Sequence, residues 1–167
     1  MLENIKMYLP TSSEWDDLVN VAHGDDSVMH WRNMFSWCQD SETNSAFCRT
    51  IRGYVSSHYS EEFGMHRYGL VGFRPAIRLS SPDTSPDGTL VTIGTLYMNG
   101  RPIRVPTTPT WKGNIIGYVS NAKLELRAPV QNAAYQVQAI KVGNVLIADR
   151  VLLKNISWDD LHKQGIC

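Results

Sequence analysis

Residues 90–105 read LVTIGTLYMNGRPIRV, and their reading decides the fold class. Two runs rich in β-branched and aromatic residues flank Asn99-Gly100. Both turn residues tolerate positive φ, as a two-residue hairpin of the right twist requires. The same texture continues toward the C-terminus. Residues 115–120 and 123–127 suggest a second hairpin around Asn121-Ala122. Residues 135–142, 145–148 and 150–153 suggest a third group of strands, turned at Gly143-Asn144. A short helix over 157–163 closes the chain, with Ser157 as its N-cap. Residues 90–167 therefore read as a small antiparallel β-barrel or meander.

Upstream, SSPDTSPDG at residues 80–88 breaks this pattern with two prolines and a glycine among small polar residues. It divides the chain into an N-terminal part (1–80), a linker (81–89) and a C-terminal part (90–167). The N-terminal part mixes helix and strand, so the expected class is α+β. Residues 5–9 are apolar and extended, and Pro10 stops them. Thr11 and Glu14 stand three apart as in a capping box. Trp15, Leu18, Val19 and Ala22 then recur at helical spacing, which predicts a helix over 13–22 with one buried face. Gly24-Asp25-Asp26-Ser27 reads as a turn. Residues 28–37 (VMHWRNMFSW) read as helix or irregular core, 39–44 as loop, and 46–57 and 69–79 as strands.

The 167 residues are 43% hydrophobic and 19% charged, which places the chain among folded proteins. Net charge is zero, and this argues against direct nucleic-acid binding, which needs a basic excess for phosphates. Residues 1–80 carry seven Lys/Arg against ten Asp/Glu, whereas residues 81–167 carry nine against six. Either the halves dock partly by charge or the second presents a modest basic face to a partner. Cys38, Cys48 and Cys167 form no paired framework and read as reduced thiols. The opening MLENIKMYLP lacks a basic leader and a long apolar stretch, and no run reaches membrane-span length. The expected location is the cytoplasm of the host cell, with no membrane partner.

No catalytic set is legible. The sequence contains neither a GxxxxGKS/T phosphate loop nor a GxGxxG strand-helix turn, and no HExxH or GxSxG. His58, Glu61, Glu62 and His66 lie within nine residues and are the best metal candidates, but their spacing does not put two ligands on one helical turn. A solvated loop is the simpler reading. Cys38 beside Trp37 reads as a buried thiol rather than a nucleophile. Asp16-Asp17 and Asp25-Asp26 read as wet surface. We therefore expect no enzyme, no cofactor and no metal. Arginines beside aromatics are the composition of interface hot spots, which singles out Arg32 after Trp31 and Arg67 before Tyr68. For the first pair the plainer reading is that Trp31 fills the core and Arg32 covers it. The loop 105–112 (VPTTPTWK) holds Trp111 and Lys112 on a proline-stiffened scaffold, where Trp111 either anchors a partner or plugs the barrel mouth. Arg101 and Arg104 complete the expected contact surface.

Residues 8–15, YLPTSSEW, resemble the RLPTEAEWE signature of formylglycine-generating-enzyme-like and C-type-lectin-like domains. Residues 71–76, VGFRPA, resemble the GFRPA or GFRLA strand near the end of that fold. Between them Trp31, residues 34–37 (MFSW) and Arg52-Gly53-Tyr54 are similar to uncharacterised members carried by phages and integrative elements of gut bacteria. The resemblance covers residues 5–80. It implies a compact C-type-lectin-like scaffold for the N-terminal part. It carries over neither oxidase activity nor sugar binding, because the cysteines of the oxidases and the EPN, QPD or WND sugar motifs have no counterpart here. The functional expectation is a non-enzymatic binding protein of a phage or mobile element. Its sharpest form is an inhibitor of a bacterial defence system, anti-CRISPR-like, that occupies a site on a host protein or nucleoprotein. A virion accessory protein and a small-ligand (nucleotide) sponge are the alternatives.

Overall fold

The computed structural model describes residues 5–81 and 83–167. Pro82, part of the expected linker, and the first four residues of the leader reading lie outside the described residues. The protein is mostly β, with 33% of residues in strands and 14% in helix, in curled sheets that include a half-barrel. The helical contribution is concentrated near the two ends of the chain.

Helix α1 (Ser12–Ala22) starts where the sequence predicts, because Thr11 Oγ1 accepts from the Glu14 N–H and Glu14 accepts from the Thr11 N–H. Trp15, Leu18, Val19 and Ala22 form its buried face. The expected turn that follows is a turn capped by Asp25 into one short helix, α2 (Asp26–Met29). The aromatic run 28–37 resolves into α2, a connecting turn and β1 (Phe35–Trp37). Strands β2 (Cys48–Gly53), β3 (Ser60–Gly64), β4 (Val71–Phe73) and β5 (Ala76–Arg78) follow. The second half supplies β6 (Leu90–Met98), β7 (Arg101–Pro102), β8 (Ile116–Gly117), β9 (Leu124–Arg127), β10 (Val137–Val142), β11 (Val145–Ala148) and β12 (Leu153–Lys154). Helix α3 (Trp158–His162) comes last, with Ser157 and Asp160 forming its own capping box.

One sheet runs in the order β3-β2-β1-β4-β12-β8. The other runs β5-β11-β10-β6-β7, with β9 also paired to β6. Both sheets thus draw strands from both sides of the 81–89 segment. Strand β5 pairs antiparallel with β11, and β12 pairs antiparallel with β4. The division of the chain at 81–89 is therefore not a division of the core. The segment itself is tied down: Gly88 N–H donates to Lys141 O, the Lys141 N–H donates to Thr89 O, and Asp87 accepts from the Gly143 N–H.

The Asn99-Gly100 hairpin forms as expected, with φ of 52° and 76° at the two turn residues. So does the hairpin at Gly143-Asn144, which joins β10 to β11. The expected hairpin at Asn121-Ala122 does not form. Strand β8 runs parallel to β12 in one sheet while β9 pairs with β6 in the other, so the turn between them crosses from sheet to sheet. Gly94 makes a further corner. Its φ is 148°, and a Cβ there would lie 2.3 Å from the Arg127 carbonyl. With a bulge at Val137/Gln138 opposite, β6 bends and exchanges β10 for β9 as its neighbour.

The main core lies between the sheets and takes Trp37, Ile51, Val71, Phe73 and Leu153 from one, and Leu96, Leu126, Ala139 and Leu146 from the other. A second core lies where α1 packs on the outer face of β10-β11, joining Trp15, Leu18, Val19 and Ala22 to Ile140, Val145 and Ile147. This explains why VLIA at 145–148 is an unbroken apolar run: alternate side chains serve two cores. Ion pairing contributes little to joining the halves. Among the described residues the ion pair that joins them is Arg67–Asp160, with the cation on the acidic half and the anion on the basic one. Shared sheets and a shared apolar core hold them instead.

Arg74 is the polar centre of this architecture. Fully buried, it donates to Ser36 Oγ and to the carbonyls of Met29, His30 and Ala148, and its guanidinium lies 5.0 Å from the Trp15 ring centre. Burial lowers its pKa to about 10, so it remains charged at neutral pH.

Candidate functional site

The loop after β7 carries Trp111, and the structure holds that loop by its backbone. The Trp111 N–H donates to Asn33 O at 3.2 Å, and Arg150 donates to Pro106 O at 2.9 Å. Asn114 braces the loop from within, accepting from the Thr108 N–H and donating to Thr107 Oγ1. The indole stays 39% exposed, with Lys112 Nζ 5.0 Å from its ring centre. The other four tryptophans, Trp15, Trp31, Trp37 and Trp158, are all buried.

Beside Trp111 lies a cleft of about 550 Å³. Tyr54, Tyr68 and Trp111 supply its aromatic surface, Leu70 adds an apolar one, and Lys154 and Asn155 supply the polar groups. Gly69 and Gly117 complete it. Four stretches of chain converge here: the turn after β2, the approach to β4, the Trp111 loop and the β8-β12 edge. Among the described residues no carboxylate lines the cleft. Lys154 makes no ion pair among the described residues, and its hydrogen bond to Trp111 O is long at 3.5 Å.

Tyr54 holds an unusual backbone conformation, with φ of 68°, where a bulky side chain is disfavoured. Its N–H donates to Trp31 O at 2.7 Å and its carbonyl accepts from the Asn33 N–H at 3.0 Å. Its ring stacks on Phe35, centres 4.8 Å apart. The strained conformation is thus over-determined by its neighbours, a pattern that clusters at functional sites. Asn155 is also left-handed, at 56°.

The sequence-selected residues fall into three groups. Trp111 lines the cleft with Lys112 against its ring, and the Arg32 backbone bridges to Tyr54, another lining residue. The Arg32 side chain is exposed, covers Trp31 at 4.8 Å and reaches Asp26 at 3.5 Å. Arg67 is committed internally: it forks onto both carboxylate oxygens of Asp160 at 2.7 and 2.8 Å and also donates to Ser120 Oγ. Arg101 and Arg104 are exposed and unpaired among the described residues, but Arg101 lies in β7, at the edge of the other sheet, and Arg104 just after it. Tyr54, Lys154 and Asn155 were not singled out by sequence. Their convergence depends on β12 pairing with β4 and β8, which no local pattern encodes.

The metal candidates disperse. Residues 60–64 form β3 rather than a loop, paired along its length with β2. Glu62 accepts from Ser41, Thr43 and Thr50. Among the described residues no group of three or more His, Cys, Asp or Glu is gathered to hold a metal ion. Cys38 is fully buried, and that burial pushes its thiol pKa well up, away from the reactive thiolate. No described helix is long and apolar enough to cross a membrane.

No protein-family model, curated protein or solved structure matches this chain.

Proposed function

We propose that this is a non-enzymatic binding protein whose working surface is the Trp111 loop and the cleft beside it. The observation that carries this reading is Trp111 itself, an exposed indole on a loop fixed by Asn33 and Arg150, with Lys112 against its ring and Lys154 in the adjoining cleft. A tryptophan held in place before binding loses little entropy on contact, and large aromatics dominate binding energy at interfaces. The partner is a host protein or nucleoprotein whose site the loop occupies. An inhibitor of a bacterial defence system, anti-CRISPR-like and acting in the host cytoplasm, is the form of this reading that the resemblance of residues 5–80 to phage and mobile-element proteins supports. The same resemblance supports a C-type-lectin-like origin for the N-terminal strands and α1.

A tagged pull-down from lysate of a bacterium that bears its own defence systems tests the proposal. One stoichiometric partner, a nuclease or its guide complex, is the expected result. A preparation free of any protein partner, or self-assembly into a defined oligomer as a virion component would show, counts against it. A second reading, a small-ligand binder, is favoured by the cleft, whose volume of about 550 Å³ is within the usual range for ligand sites.

A further inference from the structure

We infer that the cleft between Tyr68 and Trp111 is a site for one nucleotide, a flat aromatic ring joined to a phosphate. The assignment deepens the small-ligand reading above and rests on it. Three features of the cleft point to this chemistry.

The first is aromatic surface. Trp111 and Tyr68 are 39% and 46% exposed, and both line the cleft together with Tyr54. Exposed aromatic faces are stacking platforms for nucleobases. Tyr68 is itself backed by Phe63, with ring centres 5.4 Å apart, so it is held in place before a ligand arrives.

The second is charge. Among the described residues Lys154 is the one cation lining the cleft, no carboxylate lines it, and Lys154 has no ion-pair partner. An ammonium left in this way suits one anionic group. Asn155 adds both a donor and an acceptor at the same wall, as the edge of a base or a ribose hydroxyl requires. A single lysine also agrees with the zero net charge of the chain: the site matches one phosphate, not a track of them.

The third is room. Gly69 and Gly117 line the cleft, and a Cβ built on either meets nothing within 4 Å. Neither has positive φ, so the backbone does not demand glycine at these positions. The open space is therefore a property of the cleft that a side chain can fill without disturbing the fold.

The experiment is a titration of the full chain with AMP, adenosine and a short oligoadenylate, read by calorimetry and tryptophan fluorescence. Trp111 is the exposed indole among four buried ones, so stacking quenches its emission selectively. We expect saturable quenching by AMP, lost in Trp111→Phe, and binding of adenosine roughly tenfold weaker for want of the phosphate. Lys154→Gln removes the difference between AMP and adenosine. Gly117→Val weakens AMP at least about tenfold at an unchanged melting temperature; if that variant loses stability, the Lys154→Gln comparison decides. Oligoadenylate binding no tighter than AMP assigns a free nucleotide, and much tighter binding assigns an unpaired nucleotide of a strand. The inference is overturned if neither AMP nor oligoadenylate binds saturably, or if Gly117→Val and Lys154→Gln leave AMP binding unchanged. Failure here combined with Trp111-dependent capture of a protein removes the nucleotide and leaves the macromolecular reading standing.

Discussion

The carbonyl of Asn33 accepts the N–H of Trp111 at 3.2 Å, and this bond joins the turn before β1 to a loop 78 positions further along the chain. Asn33 also donates to the Tyr54 carbonyl, so one left-handed asparagine fixes two aromatic residues of the cleft. The position of Trp111 is set by backbone atoms, which leaves its part-exposed side chain free to vary without loss of the scaffold, whereas the Tyr54 ring is also held by its stack on Phe35.

Trp111→Ala should therefore cost little stability, under about 2 kcal/mol, since the indole is part-exposed and its anchoring bonds come from the main chain. Trp37→Ala should cost about 3–5 kcal/mol. Trp37 is fully buried in the main core and its Nε1 donates to Ile156 O at 2.8 Å. Urea denaturation of the two variants checks the contrast.

Arg74→Leu should destabilise by at least about 3 kcal/mol, because the carbonyls of Met29 and His30 and the Ser36 hydroxyl lose a buried donor. Arg74→Lys should recover little of this. One ammonium does not reproduce a planar fork that meets four acceptors at once. Equilibrium unfolding of both variants distinguishes fork geometry from charge.

His30 should make stability pH-dependent. Burial, followed by the neighbouring Arg150 charge, holds its pKa below the ordinary 6.5, while Asp149 and Asp26 oppose this and Arg74 reinforces it. A histidine with a depressed folded-state pKa stabilises fully above its unfolded value. That contribution is lost as pH falls through 6.5 toward the folded pKa, because the unfolded chain takes up the proton first. His30 Nε2 lies 3.2 Å from Arg150, which in turn holds Pro106 and the Trp111 loop. Melting temperature should fall more steeply between about pH 7.5 and pH 5.5 in the wild type than in His30→Asn, a residue that tolerates the left-handed φ of 39°.

Arg67→Ala should lower the melting temperature by a few degrees and leave partner binding unchanged, since both arms of the guanidinium are spent on Asp160. Arg32→Ala, whose side chain is exposed and whose backbone bridges to Tyr54, should do the reverse. Thermal shift and binding measured on the same two preparations separate these roles.

What was legible in the sequence was local. The Thr11–Glu14 capping box, the Asn99-Gly100 turn and the Gly143-Asn144 turn each depend on a few adjacent residues, and each forms. Strand β3 was not legible, because Ser60–Gly64 is an edge strand carrying Glu61 and Glu62, and only its pairing with β2 makes it a strand. The false hairpin at Asn121-Ala122 fails for a related reason. Its two strands satisfy their hydrogen bonds in different sheets, a choice made by β12 and β6 far away in sequence. Gly72 permits that long-range pairing: a Cβ there would meet the Leu153 carbonyl at 2.4 Å, where β12 crosses β4. The candidate site was half legible. Trp111 and Lys112 stand out on their proline-flanked loop, whereas Tyr54, Lys154 and Asn155 enter only through the tertiary fold.

The most direct measurement is a paired pull-down with wild-type protein and the double variant Trp111→Ala, Lys112→Ala, with melting temperatures taken on the same preparations. The expected result is a stoichiometric partner captured by the wild type, its loss from the double variant, and melting temperatures that nearly coincide. Capture that survives the double substitution, or a double variant that unfolds, would contradict a working surface at Trp111.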